Sequence, residues 1–221
     1  MVTGTPGRRD VAAQVTSAGV IGIVRERDGE RARTVADALL AGGLTVIEIT
    51  LTTPGATDLI AELADRCAGT DVLVGAGTIL DEDAAARAVR AGARFIVSPH
   101  LSVAAVHVAH RHGVVAIPGA ATVTEAVTAI ECGADAVKLF PAGVHGIDWF
   151  RSLHAVLPPV PLIPTGGIGP ADVGRWLGAG AAAVGLGGQL SRGDAEEVTA
   201  RVGEVVDCAR QVATARLRGD P

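Results

Sequence analysis

"ECGADAVKLFP", residues 131–141, decides how the chain is read. A helical stretch ends at Gly133, where glycine accepts the left-handed conformation that stops a helix. An apolar β-run follows almost at once. The same punctuation recurs in "AGGLTVIEITL" (41–51), "AGARFIVSP" (91–99), "RHGVVAIPG" (111–119) and "GAGAAAVGLGG" (178–188). These β-runs are continuous rather than alternating, as parallel strands covered by helices require. Working outward, the pattern predicts eight strands at 20–25, 44–50, 72–77, 94–98, 114–118, 135–140, 161–165 and 182–186. Helical patterns such as "ERARTVADALLAG" (30–42) and "TVTEAVTAIECG" (122–133) fill the intervals. Thr122 and Glu125 form a capping box at the start of the latter. Residues 8–18 add a helix before the first strand, and 194–217 form a long closing helix. The expected fold is a single-domain α/β chain over 1–221, a (β/α)8 TIM barrel with an extra N-terminal helix, and residues 1–7 are expected to be a flexible N-terminus. A doubly wound open sheet is the alternative.

The composition bounds the partners. The 221 residues are 48% hydrophobic but only 2% aromatic, so the core must be built from Ala, Val, Leu and Ile on closely approaching elements. A net charge of −5 and the absence of a basic block argue against a nucleic-acid surface. A small anionic metabolite needs only a local positive site. Cys67, Cys132 and Cys208 are odd in number and lack metal-ligand spacing, which points to a reduced compartment. "MVTGTPGRRD" (1–10) has no apolar h-region. The longest stretch without Asp, Glu, Lys or Arg, Ser152–Ala171, is too rich in Pro and Gly to span a bilayer. The expectation is a cytoplasmic protein with no membrane or nucleic-acid partner. His107, His110 and His112 fall near the end of the fourth barrel helix, and His145 and His154 in or near the sixth. No metal site is expected from them. His100, in "SPH", could approach the rim of a site, but no partner is identifiable.

Lys138 is the only lysine, against 18 arginines. In a barrel, alternate strand residues point inward. Val137 and Leu139 make a helix-facing pair, which turns Ala136, Lys138 and Phe140 inward. In "VIEITL" (46–51), Ile47, Ile49 and Leu51 face the helices, so Val46, Glu48 and Thr50 point inward. A lysine and an acid thus converge on one interior. They could simply be a buried ion pair. The functional reading is that a lysine shut in an apolar interior tends toward the neutral, nucleophilic amine, and a buried glutamate becomes a usable general acid/base. A composition that prefers arginine would keep one lysine where amine chemistry is needed, since guanidinium does not form a Schiff base. The segments "GAGT" (75–78), "SPH" (98–100), "IPG" (117–119), "FPA" (140–142), "PTGGI" (164–168) and "GLGG" (185–188) follow strands and would line the C-terminal face, where barrel enzymes place their sites. The glycine turns of the last two strands suit anion binding through backbone N–H groups.

With "EITLTT", "GAGT", "SPH", "IPG", "VKLFP", "PTGGI" and "VGLGG" in this order, the chain resembles the class I aldolases of 2-dehydro-3-deoxy-phosphogluconate (KDPG) and 4-hydroxy-2-oxoglutarate (KHG) over about residues 10–210. The resemblance implies that Lys138 forms a Schiff base with a 2-oxo acid and that Glu48 shuttles protons. It also implies that no metal or cofactor is needed and that the protein is a homotrimer. Thr78, Pro99 and Phe140 match positions lining the pyruvate pocket, and Thr165, Gly166 and Gly167 its carboxylate- and phosphate-binding turn. Two positions depart from the pattern. Thr52 stands where part of the family has an arginine that binds substrate anions, and Gly188 where a serine often binds phosphate. Arg25, in "GIVR", resembles an arginine of other members and is expected to supply the charge, with Gly187 and Gly188 adding N–H donors. Two other readings remain: a phosphate-binding barrel transferase or epimerase, and a non-catalytic trimeric metabolite-binding protein.

Overall fold

The structure, a computed structural model, describes residues 6–218; the expectation for residues 1–7 therefore falls almost wholly outside the described residues. Parallel strands β1 (Val20–Val24), β2 (Val46–Thr50), β3 (Leu73–Gly77), β4 (Phe95–Val97) and β5 (Val115–Ile117) form one sheet with β9 (Val184–Leu186), in the order β5-β4-β3-β2-β1-β9. β6 (Gly119–Ala120), β7 (Val137–Leu139) and β8 (Leu162–Pro164) form a second. The two sheets close on each other. A parallel bridge between Thr165 and Gly185 joins β8 to β9. On the other side, the N–H groups of Asp135, Lys138 and Phe140 donate to the carbonyls of Ala116, Pro118 and Ala120 at 2.9–3.0 Å. β5 and β6 are thus one barrel strand interrupted at Pro118, which has no N–H to give to a ladder. The result is the expected eight-stranded TIM-like barrel. Its fifth strand differs from the expected 114–118: it runs on to Ala120 and is broken at the proline. Gly119 is required just after the break, because a Cβ there would lie 2.4 Å from the Pro99 carbonyl.

Helices α1 (Arg8–Ser17), α2 (Gly29–Ala41), α3 (Ala56–Arg66), α4 (Glu82–Arg90), α5 (Val103–Arg111), α6 (Val123–Glu131), α7 (Ala142–Val156), α8 (Val173–Gly178) and α9 (Ala195–Arg218) accompany the strands. Asp28, Asp81, Ser102 and Thr122 cap α2, α4, α5 and α6 by accepting a backbone N–H with their side chains. The reciprocal arm of the capping box reaches one residue further back than expected, since Glu125 accepts from the N–H of Ala121. α7 is not continuous: Gly146, at φ 81°, breaks it after its first turn.

The apolar residues sort by strand parity. Ile47, Ile49, Val137 and Leu139 join the layer between strands and helices. Val46, Leu73, Phe95, Val115, Ala136 and Ile163 fill the barrel interior, together with Val11 and Val15 of α1. The extra N-terminal helix therefore plugs the barrel at the end opposite the C-terminal ends of the strands. Arg8 on α1 reaches Asp135 at 3.5 Å, and Asp135 also takes the Ala116 N–H and lies 3.3 Å from His110 Nε2.

Candidate active site

Lys138 and Glu48 are held by the middles of β7 and β2, and the inward parity of both strands brings their side chains together. Lys138 Nζ lies 3.9 Å from Glu48 Oε1, with side-chain exposures of 4% and 2%. Glu48 Oε1 is buried and has no hydrogen-bond partner among the described residues. Burial pushes the Glu48 carboxyl above the usual glutamate range, while the nearby positive charges of Lys138 and Arg25 pull it partly back. Space for the carboxylate comes from glycine: a Cβ on Gly77 would lie 1.8 Å from Glu48 Oε1. Lys138 Nζ also sits 5.4 Å from the centre of the Phe140 ring.

Beside this pair, at the C-terminal ends of the strands, a cavity of about 210 Å³ is lined by Ile23, Arg25, Phe140, Thr165, Gly166, Gly167, Ile168, Gly185, Gly187, Gly188 and Gln189. Glycine is obligatory at two of these positions. A Cβ on Gly166 would meet the Phe140 ring at 2.7 Å, and one on Gly185 would meet Thr165 Oγ1 at 2.3 Å. Gly166 and Gly167 have φ values of 86° and 75°, in the left-handed region glycine favours. Among the described residues, no backbone carbonyl outside the strand ladders takes the N–H of Gly167, Gly187 or Gly188. Arg25 is in none of the ion pairs of the described residues. The cavity thus presents one guanidinium and several free N–H donors, a set complementary to an anion.

The structure gathers Arg25, Phe140, Thr165, Gly166, Gly167, Gly187 and Gly188 around one cavity. Thr52 is not in that lining; its hydroxyl lies 3.1 Å from that of Thr50. Thr78 and Pro99 follow β3 and β4 at the same barrel end but outside this lining, and Thr78 takes a left-handed φ of 58°. Ile23, Ile168 and Gln189 were not foreseen. Ile23 was within reach of the parity argument, being two residues before Arg25 on β1. Gln189 carries no comparable signal, since the turn after β9 alone brings it to the cavity. Of the histidines, His145 stacks on Trp149 and His154 on Phe150. Among the described residues no three His, Cys, Asp or Glu side chains gather into a group that could hold a metal ion.

The family model described as KDPG and KHG aldolase matches residues 11–205. The chain belongs to this aldolase family. It is 35% identical over 188 residues to the 2-dehydro-3-deoxy-6-phosphogalactonate aldolase of Escherichia coli (strain K12), covering 84% of this chain and 91% of that protein. It is 33% identical over 206 residues to the KHG/KDPG aldolase of the same organism, covering 89% and 94%. Among solved structures, the native KDPGal structure superposes with a TM-score of 0.82 at 31% identity, over 88% of this chain and 96% of that one. A thiamine phosphate pyrophosphorylase from Pyrococcus furiosus also superposes, with a TM-score of 0.69 at 17% identity over 89% and 98%, and shares the fold alone. The protein is thus an aldolase, a lyase of the KDPG/KHG family, and the transferase and binding-protein alternatives are not favoured. Among the described residues no helix is long and apolar enough to cross a membrane.

Proposed function

We propose that the protein is a class I, pyruvate-forming aldolase acting on 2-oxo-3-deoxy sugar acid phosphates, on 4-hydroxy-2-oxoglutarate, or on both. The observation that carries this reading is the buried pair of Lys138 Nζ and Glu48 Oε1, 3.9 Å apart, beside a cavity whose arginine makes no ion pair among the described residues. The Lys138 amine attacks the C2 ketone of the substrate to give a carbinolamine, and loss of water gives the protonated imine. The imine accepts the electron pair of the breaking C3–C4 bond while the C4 hydroxyl loses its proton, so that an aldehyde leaves and an enamine remains. Protonation at C3 and hydrolysis release pyruvate and restore the amine. Glu48 serves each proton transfer: at the carbinolamine oxygen, at the C4 hydroxyl and at C3. Burial raises its carboxyl above the usual glutamate range, which suits it to both giving and taking a proton. The imine fills the electrophilic role, so the scheme calls for no cofactor. Phe140, Thr78 and Pro99 border the pyruvate moiety. Arg25, Thr165 and the N–H groups of Gly166, Gly167, Gly187 and Gly188 meet the substrate's anionic groups. With Thr52 uncharged and hydrogen-bonded to Thr50, Arg25 carries that charge alone.

Two experiments test the reading. The first is coupled pyruvate release from KDPG, its galactonate epimer, KHG and the unphosphorylated sugar acid; release from none of them would sink it. The second is borohydride reduction in the presence of pyruvate. This should add one mass increment, at Lys138, and Lys138→Arg should abolish both the increment and cleavage. Labelling confined to the α-amine would remove Lys138 from the chemistry. We further infer a homotrimer, as the resemblance implies, to be checked by sedimentation. The three free cysteines favour a reducing compartment such as the cytoplasm.

A further inference from the structure

Arg25 owes its place to β2 rather than to its own strand. It is the first residue beyond β1, where the ladder has ended, and among the described residues its guanidinium has no carboxylate partner. The residues on either side of it are nonetheless tied down. The N–H of Glu26 donates to Thr53 Oγ1 at 3.3 Å. Thr50 Oγ1 donates to the carbonyl of Val24 at 3.2 Å. The two threonine hydroxyls lie 3.3 Å apart. A hydroxyl has one proton to give. With its proton on the Val24 carbonyl, which can only accept, Thr50 is left to accept from both neighbouring hydroxyls, Thr53 at 3.3 Å and Thr52 at 3.1 Å. The bonds then run in one sense, from Glu26 N–H through Thr53 and Thr50 to Val24 C=O, and bracket Arg25 on both sides. Both threonines are buried, Thr50 completely. Thr50 shares the inward face of β2 with Glu48, two residues away, so one strand holds the acid and anchors the arginine that acts on it electrostatically.

We propose that Thr50 and Thr53 are positioning residues for Arg25, holding its backbone so that the guanidinium meets the substrate anion. This rests on the role given to Arg25 above. The experiment is a double-mutant cycle, measuring kcat and KM on KDPG and KHG for wild type, Arg25→Ala, Thr53→Val and the double variant, with Thr50→Val treated likewise. Thr→Val removes the hydroxyl and keeps the shape; Thr53→Ser and Thr50→Ser keep the hydroxyl and should restore wild-type kinetics. Thr53→Val should raise KM by roughly two- to tenfold, the effect of one uncharged hydrogen bond, with kcat little changed. In the Arg25→Ala background the same substitution should have no further effect. A Thr53→Val loss of equal size in both backgrounds, or failure of serine to rescue, overturns the proposal while leaving Arg25 in the site. Wild-type kinetics for Arg25→Ala itself removes Arg25 from the anion site, and this proposal falls with it.

Discussion

Glu48 sits where burial and two neighbouring cations pull its carboxyl in opposite directions, and burial dominates. The folded protein therefore holds the Glu48 proton to higher pH than the unfolded chain does. Between the ordinary glutamate value of 4.5 and the raised folded value, the folded state binds more protons. Stability contributed by the protonated form is full below about that ordinary value and is lost as pH rises through the window. Glu48→Gln, which has nothing to ionise, should lack this decline. Thermal melts of both proteins from pH 4 upward, at about half-unit steps, should show the wild type losing ground to the variant as pH rises; parallel curves would contradict the burial argument. On activity the same substitution should lower kcat by roughly 10²–10⁴-fold, as expected for removal of a general acid/base. Wild-type turnover in a pyruvate-release assay would return Glu48 to a purely structural role.

At the scale of elements, each strand presents what its parity dictates, and this is where the sequence was most legible. The inward turn of Lys138 and Glu48 followed from the apolar pairs Val137/Leu139 and Ile47/Ile49, because a strand with helices on one side cannot bury both faces in the same layer. Glycine turns after strands were equally visible, though only the structure relates Gly166 to the Phe140 ring and Gly77 to Glu48. Contacts set by loop paths were not legible. Nothing in "LTT" says that Thr52 turns to the Thr50 hydroxyl instead of lining the cavity, or that Gln189 reaches it. The break at Pro118 was legible in principle, since proline cannot supply a ladder N–H, but "IPG" reads equally well as the end of a strand. Gly77→Ala tests the element-level packing directly. Its Cβ would lie 1.8 Å from Glu48 Oε1, so the Glu48 side chain has to move. The variant should fold, judged by circular dichroism, yet lose at least about tenfold in kcat because the general acid/base is displaced. Unchanged kcat would mean that Glu48 can sit elsewhere and still function.

For the whole molecule, the barrel has a chemical end and a structural end. α1 closes the structural end with Val11 and Val15, both buried against the interior layer. Val15→Ala should destabilise the protein by about 2 kcal/mol through the small cavity left behind, read by urea denaturation, while kcat and KM at the far end stay as they were. A kinetic change without a stability change would contradict this division. The solitary lysine has a last consequence for handling the protein. An endoprotease that cuts only after lysine has a single target in the chain, the bond after Lys138, in the middle of β7 and shut inside the barrel with 3% of the residue exposed. No exposed loop offers a competing cut. Digestion should wait for the barrel to open and then yield two fragments, so the rate of cleavage reports opening without any engineered probe.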